Sequence, residues 1–218
     1  MAKPNQNSNL VDNLDLEIFF DESRLITDLR EGVIWNPAKT RVCLLSTDLL
    51  TGVYKGLVDE AGPAWRIIFK NCGLIWGERV AIRLDRECQL LAGIRVGDLP
   101  LEKYLTFMTN YFSFHGWGIL TMDVTKAKET GLVEAKLTNS VFASTIQNEE
   151  DMVDPMISGI LASMLSYLSG HKLDAEQTVC SSKGAPASMF IITGGDRLKP
   201  VETMLAGGST HEQILSTI

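Results

Sequence analysis

Apolar residues recur at the three- and four-residue spacing of an amphipathic helix in four segments of the chain. The first segment follows Ser46, whose side chain can cap a helix N-terminus, and the second follows the break at Gly62-Pro63. The second segment carries a wide apolar stripe on one helix face, formed by Trp65, Ile68, Phe69, Cys72 and Trp76. Gly73 and Gly77 weaken this helix, so the sequence leaves its end open.

The third and fourth helical segments are also apolar on one side. The third follows Pro100, and its apolar positions are Leu101, Tyr104, Leu105, Met108 and Phe112. The fourth is the clearest helix of the chain, because its apolar residues repeat without interruption from Val153 to Leu168. Its opposite flank consists of small residues, and we expect a sheet or another chain to approach closely there: Ser158, Gly159, Ala162, Ser163 and Ser166.

Shorter apolar runs between turn residues predict antiparallel strands. In the run that contains Val133, Ala135 and Leu137, apolar and polar residues alternate, so one face of that strand is expected to be dry. Two hairpins are expected, one turned at Asn36-Pro37 and one turned at residues 183–186. The predicted strands lie within residues 32–46, 117–124, 132–138, 175–182 and 188–193.

This order of elements predicts one folded domain, over residues 31–208. Residues 1–30 are expected to form a leader or arm, and residues 209–218, which follow Gly207-Gly208, a loose tail. The polar N-terminus lacks the apolar core of a signal peptide, and the longest uncharged segment is too short to span a bilayer. We therefore expect a cytoplasmic protein.

The composition is that of a globular protein with a reduced interior. Hydrophobic residues make up 45% and charged residues 22%, a balance that allows a substantial core. The formal charge of -7 argues against a nucleic-acid partner, because binding to phosphate backbones depends on clustered Lys and Arg. The four cysteines lack CxxC spacing, so free thiols in a reducing compartment are the simpler interpretation.

Residue patterns of known catalytic and metal sites are missing. The sequence has no GxGxxG, GxxxxGK[ST], HExxH or GxSxG motif, so we expect no catalytic residues. The three histidines are isolated in sequence, and no metal site is expected; His115, which lies among aromatic residues, is interpreted as a helix cap. The acidic residues 149–151 and Asp154 are interpreted as charges that stabilise a helix N-terminus rather than as a cation site.

The aromatic faces of the second and third helices are the best candidates for a ligand site, because soft, polarizable side chains suit a large apolar ligand. Periodicity identifies this face as buried, and it leaves open whether a ligand or other side chains fill the space behind it. The candidate ligand-binding residues on these helices are Trp65, Phe69, Cys72, Trp76, Tyr104, Met108 and Phe112.

The C-terminal third resembles the closing module of the 4-vinyl reductase domain family. In that family a long apolar helix and a strand precede the pattern Cys-x3-Gly-x3-Cys-x-Phe. This chain matches the pattern at Cys180, Gly184 and Phe190, whereas Ser188 stands in place of the second Cys. Paired-thiol metal or redox chemistry is therefore not expected here, and Cys180 is kept as an outlying candidate ligand contact.

The resemblance implies an α+β fold in which several helices pack on one face of an antiparallel sheet, as in vesicle-tethering (TRAPP) subunits and haem-based nitric oxide sensors. It also implies an apolar cavity and a dimer. Members of the family are associated with chlorophyll metabolism, with photosynthetic complex assembly and with sensing of small aromatic compounds.

Three hypotheses for the function follow. The first is non-catalytic binding of a tetrapyrrole, carotenoid or related apolar molecule by an accessory factor in pigment supply or photosystem assembly, such as a cyanobacterial accessory protein beside the thylakoid membrane. The second is a subunit of a vinyl-reducing tetrapyrrole enzyme. The third is an interaction module without a ligand, which forms a homodimer or docks to a photosynthetic membrane complex.

Overall fold

The structure of the chain is a computed structural model, and it describes residues 16–21, 24–146 and 151–218. The helices in these ranges are α1 (Thr47–Ala61), α2 (Trp65–Ala92), α3 (Leu101–Phe114), α4 (Ala127–Thr130), α5 (Val141–Thr145), α6 (Pro155–Ser169), α7 (Gly195–Ala206) and α8 (His211–Thr217). The strands are β1 (Ile26–Asp28), β2 (Val33–Trp35), β3 (Arg41–Val42), β4 (Ile119–Asp123), β5 (Val133–Thr138), β6 (Leu173–Val179) and β7 (Ser188–Gly194). None of the helices in the described ranges has the length and hydropathy that a bilayer span requires.

Strands β4 to β7 form an antiparallel sheet in the order β4-β5-β7-β6. Its register places Ala135 opposite Phe190, and both side chains are fully buried. The dry face predicted for β5 is confirmed, since Val133, Ala135 and Leu137 are buried and Lys136 is exposed. Side chains of α2, α3 and α6 complete the main core on this face of the sheet.

Helices also cover the second face of the sheet. Ile191 alternates with the core residues of β7 and therefore points to this face, where it packs against α7 and α8 in a cluster with Leu132, Leu198, Val201 and Ile214. The predicted α+β class, an antiparallel sheet with several helices on one face, is confirmed. Helices α7 and α8 add a smaller layer on this second face.

The loose tail predicted for residues 209–218 is instead helix α8. Thr210 caps the helix through its side chain, which accepts a hydrogen bond from the Gln213 backbone, while the Gln213 side chain accepts from the Thr210 backbone. This reciprocal arrangement satisfies two backbone donors that are unpaired at a helix start. Ile214 is fully buried against the sheet, so apolar burial holds the helix in place.

Helices α2 and α6 cross with their backbones in contact. A Cβ atom on Gly73 would overlap the carbonyl group of Met156, and one on Gly159 would overlap the carbonyl oxygen of Lys70. Gly77 faces Ser163 and Ile160 in the same way. The glycines that were expected to weaken α2 therefore allow this close contact, and the helix continues to Ala92.

This crossing also accounts for the small flank of α6. Its Gly159 and Ser163 face α2 of the same chain, and the Ser166 side chain accepts a hydrogen bond from the Leu173 backbone of β6. The close neighbours expected at this flank are thus another helix and the sheet edge of the same chain.

The N-terminal hairpin is confirmed and gains a third strand. Strands β1, β2 and β3 form a small antiparallel sheet in that order, with Ile26 opposite Trp35. Part of the predicted arm, residues 26–28, thus belongs to a sheet, whereas residues 1–15 lie outside the described residues. Phe19, from a short 3-10 segment, is buried against Phe107 of α3, with ring centroids 5.3 Å apart.

Candidate functional site

Aromatic side chains form a continuous row along one side of α2. We call it the aromatic column; its members are Tyr54, Trp65, Phe69, Phe142, Trp117, Trp76 and Tyr111. Neighbouring ring centroids along the column are 4.6 to 6.2 Å apart, and most pairs meet edge to face or tilted. Such geometries add stability beyond that of apolar burial alone. The column is therefore a well-packed part of the core.

The two indole rings of Trp76 and Trp117 differ from the other pairs because they stack almost in parallel. Their centroids are 4.6 Å apart and their planes are inclined by 14°. Both residues are half-buried, so the stack connects the interior to the surface. A flat apolar ligand entering the core on this side would meet these rings first.

The candidate residues on α3 lie in the same core. Tyr104, Met108 and Phe112 are buried, and the Tyr104 hydroxyl donates a hydrogen bond to the carbonyl oxygen of Met164 on α6 at 2.9 Å. Trp65 and Phe69 are likewise buried, and they belong to the column. The structure thus brings seven of the eight candidate residues into one hydrophobic core: Trp65, Phe69, Trp76, Tyr104, Met108, Phe112 and Cys180.

Cys72 is not part of this group. The sequence predicted that Cys72 and Ile68 lie on the buried face of α2, and the structure exposes both. The buried face instead runs through Gly73 and Gly77, because the contact with α6 is made by backbone rather than by large side chains. Cys180 is buried at the end of β6, where its sulfur lies 3.0 Å from the Ser182 hydroxyl oxygen.

Two buried tyrosines and a buried cysteine in this core remain uncharged at neutral pH. Burial raises the pKa of Tyr111 to about 12, although the neighbouring Arg83 opposes this shift. Burial also raises the pKa of Tyr104, and it raises that of the Cys88 thiol to about 12. These groups can donate hydrogen bonds, whereas proton transfer near neutral pH would require pKa values closer to 7.

His115 acts as the structural cap that its sequence context indicated. Its ring stacks on Tyr111 with centroids 4.0 Å apart, and its Nδ1 lies 2.9 Å from the Tyr111 carbonyl oxygen, to which it can donate. Desolvation by the neighbouring rings lowers its pKa below the usual value of 6.5, which favours the neutral imidazole. His115 therefore ends α3 and covers the column.

A polar cluster joins α2 to the N-terminal sheet. Glu87 is buried and accepts hydrogen bonds from Asn36 at 2.9 Å and from Thr40 at 2.7 Å, which ties the N-terminal hairpin to the helix. One turn earlier, Arg83 donates to the Tyr111 hydroxyl at 2.8 Å and lies 3.7 Å from Glu87. The small sheet is thereby linked to the end of the aromatic column.

A second buried polar cluster surrounds Asp154, immediately before α6. Its carboxylate accepts hydrogen bonds from the hydroxyls of Ser140 and Ser188 and from the Gln177 amide. The Asp154 backbone in turn donates to the Gln177 side-chain oxygen at 3.0 Å. Burial raises the Asp154 pKa, while the three donors oppose the shift. This cluster fastens the start of α6 to the last hairpin.

The Asp154 cluster gives a role to Ser188, which stands in place of the second Cys of the family pattern. The hydroxyl at that position is committed to the carboxylate and is fully buried, whereas the Cys180 sulfur contacts Ser182. In the described part of the chain, no group of three or more His, Cys, Asp or Glu side chains is arranged to hold a metal ion. Ser188 thus contributes a buried hydrogen bond at this position.

An open groove lies beside the N-terminal end of α6, and the sequence did not predict it. It has a volume of about 450 Å³, and its walls come from α2, from β6 and from Glu202 of α7, with Pro155 and Ser158 of α6 also lining it. Lys70 extends to the Asp174 carboxylate at 2.9 Å and to Glu176 at 3.4 Å. Of the small residues on α6 only Ser158 lines the groove, so the sequence carries no signal that marks it.

Comparisons with known proteins identify the fold. No protein-family model matches the chain, and neither does any curated protein. Among solved structures, the phenol-responsive sensory domain of the transcription activator PoxR, determined with phenol, is similar over 94% of this chain and 98% of its own, with 20% sequence identity and a TM-score of 0.65. The two chains share a fold.

Two further solved structures show weaker similarity. A vinyl-4-reductase family protein from Methanocaldococcus jannaschii matches 88% of this chain and 98% of its own, with 16% identity and a TM-score of 0.47. A trafficking protein particle complex subunit 3 from Naegleria fowleri, covalently bound to palmitic acid, matches 67% of this chain and 93% of its own, with 14% identity and a TM-score of 0.49.

Proposed function

We propose that this chain binds a bulky apolar or aromatic small molecule and does not convert it chemically. The observation that carries the proposal is the aromatic column, which lies against the buried side chains of α3 and reaches the surface at the Trp76–Trp117 stack. Neutral hydroxyl, thiol and imidazole groups beside it suit recognition of a weakly polar ligand. The shared fold with a sensory domain that was determined with phenol supports a binding role of this kind.

The ligand would enter between α2 and α3, beside Trp76, and would contact Met108 and Phe112 below it. Tyr104 lies at the base of this region, and its hydroxyl already donates to Met164. A single-ring aromatic compound would displace fewer side chains than a tetrapyrrole or a carotenoid, because Tyr104, Met108 and Phe112 are buried. We therefore place small aromatic compounds first among the ligand classes.

Binding of a tetrapyrrole or carotenoid, and a role beside a photosynthetic membrane complex, stay predictions of the sequence. They extend the same proposal to a larger ligand, whose binding would require α3 to move away from α2. A homodimer is part of the proposal as well, since a sensory or carrier domain can transmit ligand binding through a subunit contact.

The experiment is a titration of the purified full-length chain with phenol, an alkylphenol, naphthol, a carotenoid and a chlorophyll precursor. Tryptophan fluorescence and isothermal calorimetry report binding. We expect one class of compound to give a saturable change with a stoichiometry of about one per chain. A panel in which no compound saturates would overturn the proposed function.

Two matched variants locate the site. Trp76→Phe removes an indole of the stack, and Trp35→Phe changes a partly exposed indole on the N-terminal sheet. We expect Trp76→Phe to weaken binding at least about tenfold, equivalent to about 1.4 kcal/mol, and Trp35→Phe to leave it unchanged. Equal affinity in both variants would place the site away from the aromatic column.

A further inference from the structure

The groove beside the N-terminal end of α6 continues into a second, smaller cavity. This cavity has a volume of about 320 Å³, and it shares five lining residues with the groove: Arg66, Met152, Glu176, Gln177 and Glu202. Both lie along β6, which is an edge strand of the main sheet. The groove alone, at about 450 Å³, has the size of a typical small-molecule site, about 300–1,000 Å³.

The groove is separate from the proposed ligand site. Among the described residues that line the groove and the second cavity, none belongs to the aromatic column. The apolar part of the lining includes Ile67, which is 67% exposed, and the half-buried Leu74 and Met152. An apolar group bound here would remove the Ile67 side chain from water.

Carboxylates outnumber cations in the lining of the groove. Asp174, Glu176 and Glu202 contribute three carboxylates, whereas Lys70 and Arg66 contribute two cations. The Lys70 ammonium lies 2.9 Å from Asp174 and 3.4 Å from Glu176, so one cation serves two carboxylates. Glu202 is exposed on α7, and within the described part of the chain it forms no ion pair.

The remaining cation of the lining does not correct this imbalance. The Arg66 guanidinium lies 3.6 Å from the carboxylate of Asp151, which is not part of the lining. Burial raises the pKa of Glu176, and the like charge of Glu202 adds to this increase, whereas Lys70 and Arg66 oppose it. A further cation between Glu176 and Glu202 would therefore relieve a repulsion that the chain itself leaves in place.

A buried hydroxyl group in the groove also lacks a partner. Ser158 of α6 lines the groove and is 2% exposed, and no described residue forms a hydrogen bond with its side chain. Ser163 and Ser166 on the same helix, by contrast, donate to backbone carbonyl oxygens. Buried polar groups are almost always hydrogen-bonded, so the Ser158 hydroxyl indicates a polar group that binds in the groove.

We propose that the groove is a second binding site, and that its ligand is a small organic cation with a primary ammonium group on an apolar chain. An ammonium group has three N–H donors, which match the carboxylates of Glu176 and Glu202 and the hydroxyl oxygen of Ser158. The apolar chain lies along Ile67 and Met152. The formal charge of -7 on the whole chain also attracts cations from solution.

The test is isothermal calorimetry of the full-length chain with hexylammonium, hexanol and hexanoate, which have the same carbon chain and differ in charge. We expect hexylammonium to bind with a stoichiometry of about one, and the other two compounds to bind at least about tenfold more weakly. Hexylammonium should also shift the backbone amide NMR signals of Ser158 and Gln177, and leave that of Trp117 unchanged.

Three variants locate the ammonium group. Glu202→Gln should weaken hexylammonium binding about fivefold or more, because a charge-assisted hydrogen bond is lost. Glu78→Gln is the matched control, since it removes an exposed carboxylate of α2 outside the groove and should leave binding unchanged. Ser158→Ala should weaken binding about threefold without lowering stability in urea, because within the described chain its hydroxyl has no partner to lose.

Four results would overturn the proposal. They are the absence of saturable hexylammonium binding, hexanoate binding that is equally tight, and equal hexylammonium affinity in Glu202→Gln and Glu78→Gln. The fourth is loss of hexylammonium binding in Trp76→Phe, which would place the amine at the aromatic column. The compounds of this test are not aromatic, so failure of the second site leaves the proposed function standing, and the reverse holds as well.

Discussion

The indole ring of Trp76 lies flat against that of Trp117, with 4.6 Å between the centroids. Trp76 is on α2 and Trp117 precedes β4, so this contact joins a helix of the core to the edge of the sheet. We expect Trp76→Leu and Trp117→Leu each to lower the free energy of unfolding by about 1–3 kcal/mol. Because the rings interact directly, the double variant should lose less than the sum, by about 0.5–1.5 kcal/mol.

Urea unfolding of the two single variants and the double variant measures this coupling. Trp35→Leu is the control, since Trp35 belongs to the N-terminal sheet and has no part in the stack. Strict additivity of Trp76→Leu and Trp117→Leu would show that the stacked arrangement contributes nothing of its own.

The glycine crossing of α2 and α6 predicts an opposite response to the same substitution in two helices. Gly73→Ala should destabilise the chain by about 1–3 kcal/mol or more, because the new methyl group overlaps the backbone of Met156. Gly56→Ala, in α1, has open space around its Cβ and should stabilise the chain by about 0.5–1 kcal/mol through better helix propensity. Thermal unfolding compares the two, and a neutral Gly73→Ala would contradict the backbone contact.

Because Asp154 is buried, we expect the stability of the chain to depend on pH. Burial raises its pKa in the folded chain above the usual 3.8, so the folded state keeps its proton at pH values where the unfolded state has lost it. Stability from this group therefore falls as pH rises from about 4 towards the raised pKa and is constant above it. Asp154→Asn removes the titration, and it also costs about 1–3 kcal/mol at every pH, because the new NH2 group replaces a carboxylate oxygen that accepts a hydrogen bond.

The measurement is the difference in unfolding free energy between the unmodified chain and Asp154→Asn, from about pH 4 to pH 8. We expect the advantage of the unmodified chain to shrink as pH rises. Asp196→Asn, at a fully exposed carboxylate on α7, is the control. An advantage that grows with pH would mean that the hydrogen-bond donors outweigh burial at Asp154.

Loss of the Glu87 side chain should loosen the N-terminal sheet without unfolding the rest of the chain. Glu87→Ala removes the acceptor for Asn36 and Thr40, which hold the hairpin on α2. We expect amide hydrogen exchange in β2 and β3 to accelerate at least about tenfold, with little change in β7. Glu78→Ala, on the exposed side of the same helix, should leave these rates unaltered. Equal protection of β2 and β3 in both variants would show that other contacts hold the hairpin.

Periodicity predicted the helices well because their buried sides are formed mainly by large apolar residues. For α6 the predicted apolar positions and the buried positions agree closely, as Ile160 illustrates. In α3, Tyr104 and Met108 are buried as predicted, whereas Leu101 is exposed. For α2 they diverge at the centre, where Gly73 is buried and Cys72 is exposed. A hydrophobic pattern contains no information about a contact between two backbones. The buried face of α2 could therefore be predicted only in part.

Contacts between polar residues that are far apart in the chain could not be predicted from the sequence. Ser140, Asp154 and Ser188 are separated by 14 and 34 residues, and each alone is an ordinary polar residue. Only the fold brings them together, and the acidic side chain that was interpreted as a helix cap becomes the centre of a buried cluster. The groove beside Lys70 was missed for the same reason, since its walls come from four separate elements.

Where Gly159 meets α2 there is no side chain that could change its rotamer to make room. Under the proposed function, space for a ligand therefore opens on the other side of α2, beside Trp76, Trp117 and Phe112. Libraries that test the proposed ligand site should accordingly vary Trp76, Phe112 and Trp117. They should leave Gly73 and Gly159 unchanged, because the backbones of α2 and α6 touch at these residues and leave no room for a side chain.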